Sequence, residues 1–192
     1  MCSSDLCHSL RMLWDKGLRE FCTAAVSIHA QGVAARFALV GGLDNDNPAA
    51  APEDWLREQH SRGVVEWWGL REDMVGVYAA AHVVCLPSYR EGLPTVLLEA
   101  AACGCALVAT DVPGCREVVR DGDTGLLVAP RNPVALADAL RTLILDPPLC
   151  ARLSAAAYKC VSEEFSAEHV RHATNGLYAG LLNRISSGAC HH

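Results

Sequence analysis

Two cations and two carboxylates carry most of the chemistry available to this chain. Arg11 and Lys16 lie in the segment Arg11-Met12-Leu13-Trp14-Asp15-Lys16-Gly17, where a turn leads into a helix. A helix start presents free backbone N–H groups and so favours anions. The planar fork of Arg11 can grip phosphate oxygens, and Lys16 adds a point charge beside it. The pair suits a diphosphate, although each cation on its own reads equally well as solvated surface charge. Glu91 and Glu99 lie in Ser88-Tyr89-Arg90-Glu91-Gly92-Leu93-Pro94-Thr95-Val96-Leu97-Leu98-Glu99. Gly92 permits close backbone approach, and Pro94 fits a first helical turn. Glu99 falls among Val96, Leu97, Leu98, Ala100 and Ala101, so an unpaired carboxylate there is costly. Sugar hydroxyls are suitable partners; the alternative is that Glu99 faces water. A glycosidase pair is a poor fit, because such carboxylates sit roughly 5–9.5 Å apart. Eight helical positions rise about 12 Å.

These residues need a frame. Residues 17–30 have the spacing of an amphipathic helix, with Leu18, Phe21, Cys22, Ala25, Val26 and Ile28 on its apolar face. Residues 36–40, 64–68, 82–87, 105–110 and 125–128 read as short apolar strands. Helices are expected over 52–62, 72–81, 94–103, 133–145, 147–163 and 167–186. Short apolar strands separated by helices predict an α/β fold, a doubly wound parallel sheet covered on both faces. Ligands bind such sheets beyond the carboxyl ends of their strands. The loops after Val40, Trp68, Pro87 and Thr110 should then share one rim with the four charged residues. Residues 1–10 do not fit this pattern. Met1 to Leu10 is polar and has no β-branched run where a strand should precede Arg11. The reading is therefore a non-native or truncated segment over 1–10, a ligand-binding domain over 11–186 and a frayed tail over 187–192.

Composition narrows the class further. The chain has 192 residues, 51% hydrophobic and 20% charged, which suits one packed domain rather than a disordered chain. Net charge is -6 and no stretch is rich in Lys or Arg, so a nucleic-acid footprint is absent. There is no apolar run of membrane-spanning length and no signal-peptide pattern at the start. The 10 cysteines include no C-x-x-C pair, and reduced thiols in a cytoplasmic protein are expected. Cys85 reads as a small buried hydrophobe. The run Asp44-Asn45-Asp46-Asn47-Pro48 is no calcium loop, because Ala49 and Trp55 stand where Gly and Glu are needed. Trp55, Trp67 and Trp68 read as packing residues. His191-His192 reads as a frayed end, and Arg116-Glu117 as a loop brace.

Taken in order, these motifs resemble a known family. Glu91 and Glu99 match the E-x7-E motif of family-4 retaining glycosyltransferases, whose two-domain architecture is called GT-B. Arg11 to Gly17 is similar to that family's phosphate-binding segment. Val40-Gly41-Gly42, Pro87 to Pro94 and Asp121-Gly122-Asp123-Thr124-Gly125-Leu126-Leu127-Val128 also match in order. The resemblance covers residues 11–185. It implies the C-terminal, donor-binding half of such an enzyme. Arg11, Lys16 and Glu91 would be catalytic, the cations neutralising the leaving diphosphate and Glu91 holding the sugar with the N–H groups of Gly92 and Leu93. Glu99 would bind ribose, Leu70 and Arg71 the base, and Gly41 and Gly42 would line the nucleotide site. The implied donor is a UDP-sugar, with no metal and no further cofactor. The wording around Glu91 is similar to enzymes that add hexosamine or galactose to lipid-linked bacterial glycans, but Thr95 replaces a basic residue common there, which leaves donor and acceptor open. A glycan or lipid-linked acceptor would sit on a separate N-terminal domain, with peripheral membrane association through it. A sugar-nucleotide epimerase of related fold and a non-catalytic nucleotide-sugar-binding module are the alternatives. The resemblance further implies that residues 1–192 alone form an unstable, inactive fragment.

Overall fold

Alternation along each strand decides which face of the sheet a helix can cover. The computed structural model describes residues 4–9, 11–166, 171 and 175. Six strands form one sheet: β1 (Ser4–Ser9), β2 (Ala35–Val40), β3 (Glu66–Gly69), β4 (Val83–Leu86), β5 (Ala106–Thr110) and β6 (Leu126–Val128). Every pairing is parallel, in the order β3-β2-β1-β4-β5-β6. Phe37, Leu39, Val83, Cys85, Ala106 and Val108 enter one core. Over it lie α1 (Leu18–Ala30), α2 (Glu53–Ser61) and α6 (Pro133–Leu145). Ala38, Val40, Val84, Leu86, Leu107 and Ala109 enter the second core. That face is covered by α3 (Met74–Ala79), α4 (Thr95–Ala102), α5 (Pro113–Arg116) and α7 (Pro147–Glu164). Burial on both faces explains why β4, Val-Val-Cys-Leu, is apolar throughout rather than alternating.

The helix ends are set locally. Asn132 accepts a hydrogen bond from the Ala135 amide at the start of α6, and Asp146 does the same for Leu149 at the start of α7. Each cap is followed by proline at the first helical position. Asp73 caps α3 through the Gly76 amide.

Four features of the fold differ from what the sequence pattern predicts. The polar stretch over residues 1–10, read as a non-native or truncated segment in which no strand pattern is visible, contributes an inner strand of the sheet. Ser4–Ser9 pairs with Ala35–Val40 over its whole length, and Leu6 and Cys7 pair with Val83 and Val84 on the other side. A strand with a ladder partner on each edge is held by its neighbours, and intrinsic preference counts for less. Val26, expected on the buried stripe of α1, is 45% exposed. Leu18, Phe21, Ala25 and Ile28 define that stripe, and Val26 lies one helical step, about 100°, beyond it. The four-residue helix α5 has too few positions to show a period and was not expected. Strand β3 begins at Glu66 rather than Val64, although Val64 and Val65 are buried beside it. The helix expected over 167–186, the tail at 187–192 and His191-His192 lie outside the described residues, apart from Arg171 and Asn175.

In this strand order the chain reverses direction between β1 and β4. Connections from the two strands leave toward opposite sides, which opens a crevice at their carboxyl ends. The segment after β1 carries Arg11 and Lys16. The segment after β4 carries Glu91.

Candidate functional site

The segment after β1 is laid down by main-chain bonds. The Met12 amide donates to Gly42 O at 3.1 Å, Trp14 to Ala49 O at 2.8 Å, and Ala51 to Met12 O at 2.8 Å. A 3-10 turn, Trp14–Lys16, follows and ends at Gly17 in the left-handed region, φ 76°. Gly17 is required twice over. Its φ disfavours other residues, and an added Cβ would stand 2.2 Å from Pro87 O. This close approach sets the start of α1 against the end of β4. The Tyr89 amide then donates to Asp15 O at 2.9 Å, joining the two crevice segments.

Across this junction Lys16 Nζ lies 2.7 Å from Glu91 Oε1, with the two side chains only 15% and 12% exposed. The loop carrying Glu91 is supported from below. Thr110 donates to Ser88 O. Gly114 packs so closely that a Cβ there would lie 2.1 Å from Gly92 O and 2.4 Å from Glu91 O. Cys115, buried beside Glu91, has its thiol pushed up to about 12, mainly by burial and then by the Glu91 charge. Gly92 and Leu93 are exposed at the mouth of the crevice.

The other expected residues find different partners. Arg11, 66% exposed, pairs with Asp44 at 2.8 Å. Gly41 donates to Gly69 O at 2.8 Å and receives the Trp67 indole N–H at 3.3 Å. A Cβ on Gly42 would touch the Leu70 side chain at 3.6 Å, so the glycine pair and Leu70 share one wall. Leu70 is 77% exposed, and the Arg71 guanidinium lies 6.0 Å from the Trp68 ring. Glu99 is exposed rather than enclosed by apolar neighbours, and the hydroxyl of buried Tyr78 donates to it at 3.2 Å. Helix α4 exposes Glu99, with Thr95 and Ala102, while Leu97, Ala100 and Ala101 face the core.

Asp44, Tyr78 and Gly114 are partners that the sequence did not reveal, because each acts across 15 or more positions. The indoles are structural: Trp55 packs edge-on against Trp14 at 4.8 Å, and Trp68 donates to Glu66. Cys22, Cys103, Cys105, Cys115, Cys150 and Cys160 are free thiols. Among the described residues no helix is long and apolar enough to cross a membrane. No cluster of potential metal ligands occurs among them either.

Residues 4–146 match the family of glycosyl transferases group 1, a span that starts in β1 and ends after α6. The chain belongs to the family of glycosyl transferases group 1. The chain is 37% identical over 139 residues to an N,N'-diacetylbacillosaminyl-diphospho-undecaprenol alpha-1,3-N-acetylgalactosaminyltransferase from Campylobacter jejuni. That match covers 72% of the chain and 35% of the relative. It is 38% identical over 116 residues to a D-inositol 3-phosphate glycosyltransferase from Corynebacterium diphtheriae, covering 60% of the chain and 24% of the relative. The chain thus spans about a third or less of the length of these relatives. The fold is that of HepE from Anabaena, solved in complex with UDP, with a TM-score of 0.82 and 24% identity over 93% of this chain and 49% of HepE. GT-B glycosyltransferases share this architecture.

Proposed function

We propose that the crevice between β1 and β4 binds a nucleoside diphosphate sugar, with UDP as the nucleotide, and presents it for transfer with retention of anomeric configuration. The observation that carries this reading is the Lys16–Glu91 contact, which sets a cation and a carboxylate side by side at the carboxyl edge of the sheet. In this reading Lys16 and Arg11 neutralise the leaving diphosphate. Glu91 accepts from sugar hydroxyls, with the N–H groups of Gly92 and Leu93 beside it, and Glu99 accepts from the ribose. Leu70 and Arg71 meet the base above the wall formed by Gly41 and Gly42. The acceptor oxygen attacks the anomeric carbon on the face the diphosphate leaves, its proton passes to the departing phosphate oxygen, and the bond to the diphosphate breaks. Fixed charges and positioning supply the catalysis, without a covalent nucleophile or a metal.

The names of the relatives support a hexosyl or N-acetylhexosaminyl donor and a glycan or lipid-linked acceptor. The whole protein would then work in the cytoplasm or at the inner face of a membrane. Titration calorimetry with UDP and with a UDP-sugar separates the roles. Glu99→Gln should weaken both ligands, and Glu91→Gln chiefly the UDP-sugar. Equal losses on both ligands for both variants would refute the assignment. In a chain that includes an acceptor domain, Arg11→Ala should lower turnover more than donor affinity, by about 3 kcal/mol in the barrier.

A further inference from the structure

Tyr89 stands two residues before Glu91 and is held from three directions. Its amide donates to Asp15 O, next to Lys16. Its hydroxyl donates to Glu20 Oε1 at 2.8 Å, across 69 positions of sequence. The guanidinium of Arg131 lies 4.6 Å from its ring centre. Arg131 takes a left-handed backbone at φ 58° and is the one non-glycine with positive φ among the described residues. Such a conformation persists where the surroundings enforce it.

The arrangement is a poor choice for stability alone. Glu20 Oε2 is buried and has no hydrogen-bond partner, and the same is true of Asp15 Oδ1 and Ser88 Oγ. These orphaned oxygens flank Tyr89 in the chain or across its contacts. A phenylalanine against an apolar residue would fill the same space without leaving a carboxylate oxygen unpaired, and exchanging both polar partners for apolar groups is often neutral or stabilising. What the polar pair adds is direction. A hydroxyl donating to a carboxylate fixes the ring along one line, which a buried phenyl ring does not require.

We propose that Glu20, Tyr89 and Arg131 are positioning residues that hold the donor loop in register with Lys16, so that Glu91 meets the sugar rather than the nucleotide. This rests on the donor-site reading above. Tyr89 N to Asp15 O and Lys16 Nζ to Glu91 are two rungs of one junction, and the Tyr89 hydroxyl anchors that junction to the first turn of α1. Slippage of the loop moves Glu91 and leaves Gly41, Gly42, Leu70 and Glu99 in place. The brace therefore acts on the sugar alone.

The test is calorimetry on the chain and its variants, with UDP and with whichever of UDP-N-acetylgalactosamine, UDP-N-acetylglucosamine and UDP-galactose the parent binds most tightly. The readout is the ratio of the two affinities, alongside thermal melting. Tyr89→Phe and Glu20→Ala should reduce that ratio about tenfold, the scale of one hydrogen bond to a charged group, with UDP binding unchanged. Glu20→Gln keeps an acceptor for the hydroxyl and should retain most of the ratio. The double variant Tyr89→Phe with Glu20→Leu should melt at or above the parent temperature and still lose the ratio. A lowered melting temperature with an unchanged ratio overturns the proposal, as does an equal loss on both ligands. A parent that binds neither UDP nor any of the sugars overturns the donor-site reading, and this inference with it.

Discussion

Lys16 and Glu91 carry opposite charges into a place where water reaches little of either side chain. Removing Lys16 leaves the Glu91 carboxylate desolvated without this cation, which costs more than the pair contributes when intact. Lys16→Ala should therefore destabilise the fold by about 2 kcal/mol. Lys16→Met combined with Glu91→Leu should recover most of that loss. Urea unfolding of the two single variants and the double variant checks this, and an additive double variant would show that the charges act independently. Arg11 and Asp44 make the contrasting case. Both are more exposed, and Asp44→Asn should change stability by no more than about 0.5 kcal/mol.

Among the elements, two glycines fix the distance between crevice segments. Gly17→Ala meets an unfavourable φ and the Pro87 carbonyl together, and should cost roughly 2–5 kcal/mol. Gly114→Ala leaves its own backbone unstrained but drives a methyl into the carbonyls of Glu91 and Gly92. It should shift the loop, lower the urea midpoint and weaken UDP-sugar binding. A Gly114→Ala variant with parental stability and binding would show that the loop yields freely. These elements also show what could be read in the sequence. Long periodic segments such as α1, α6 and α7 and the apolar strands β2, β4 and β5 were legible, because burial on one stripe or both faces leaves a pattern. β1 was not, since Ser4, Asp5, His8 and Ser9 carry no such pattern and its neighbours decide its state. The four charged residues and the rim could be read as types at a spacing. Their partners could not. Asp44 for Arg11 and Tyr78 for Glu99 join positions that only the folded sheet brings together. The exposure of Glu99 was hidden by apolar neighbours, of which Leu97, Ala100 and Ala101 turn into the core.

For the molecule as a whole, β1 is the piece whose loss does most damage. A chain beginning at Arg11 would leave the facing edges of β2 and β4 without their ladder, and should show no cooperative thermal melt by circular dichroism. A sharp transition in that truncated chain would mean that the sheet can close without it. The buried thiols predict a second global property. Cys22, Cys105 and Cys115 each have the thiol pushed from 9.0 up to about 12 by burial. A thiol with a raised folded value stays neutral in the native state while the unfolded chain ionises first. Its contribution is thus fully present below about pH 9 and is lost as pH rises toward about 12. The urea midpoint should fall across that window, and in native buffer near pH 8 iodoacetamide should label these three cysteines far more slowly than in denaturant. Rapid native labelling of Cys105 or Cys115 would contradict their burial.

The contact between Lys16 and Glu91 spans 75 positions of sequence. Closing a loop of that length carries an entropic penalty before any local gain repays it. The helices on either side can form from neighbours, but the crevice exists only after the chain between the two residues has been arranged. On the donor-site reading, ligand capture is in that sense a late event in folding. During refolding from urea, helical dichroism should return before the ability to bind a fluorescent UDP derivative does. Since the ligand recognises only the finished arrangement, saturating it at a hundred times its dissociation constant should add about 2.7 kcal/mol to the native state. On the donor-site reading proposed above, a cell rich in the donor would hold more of this chain folded than one depleted of it.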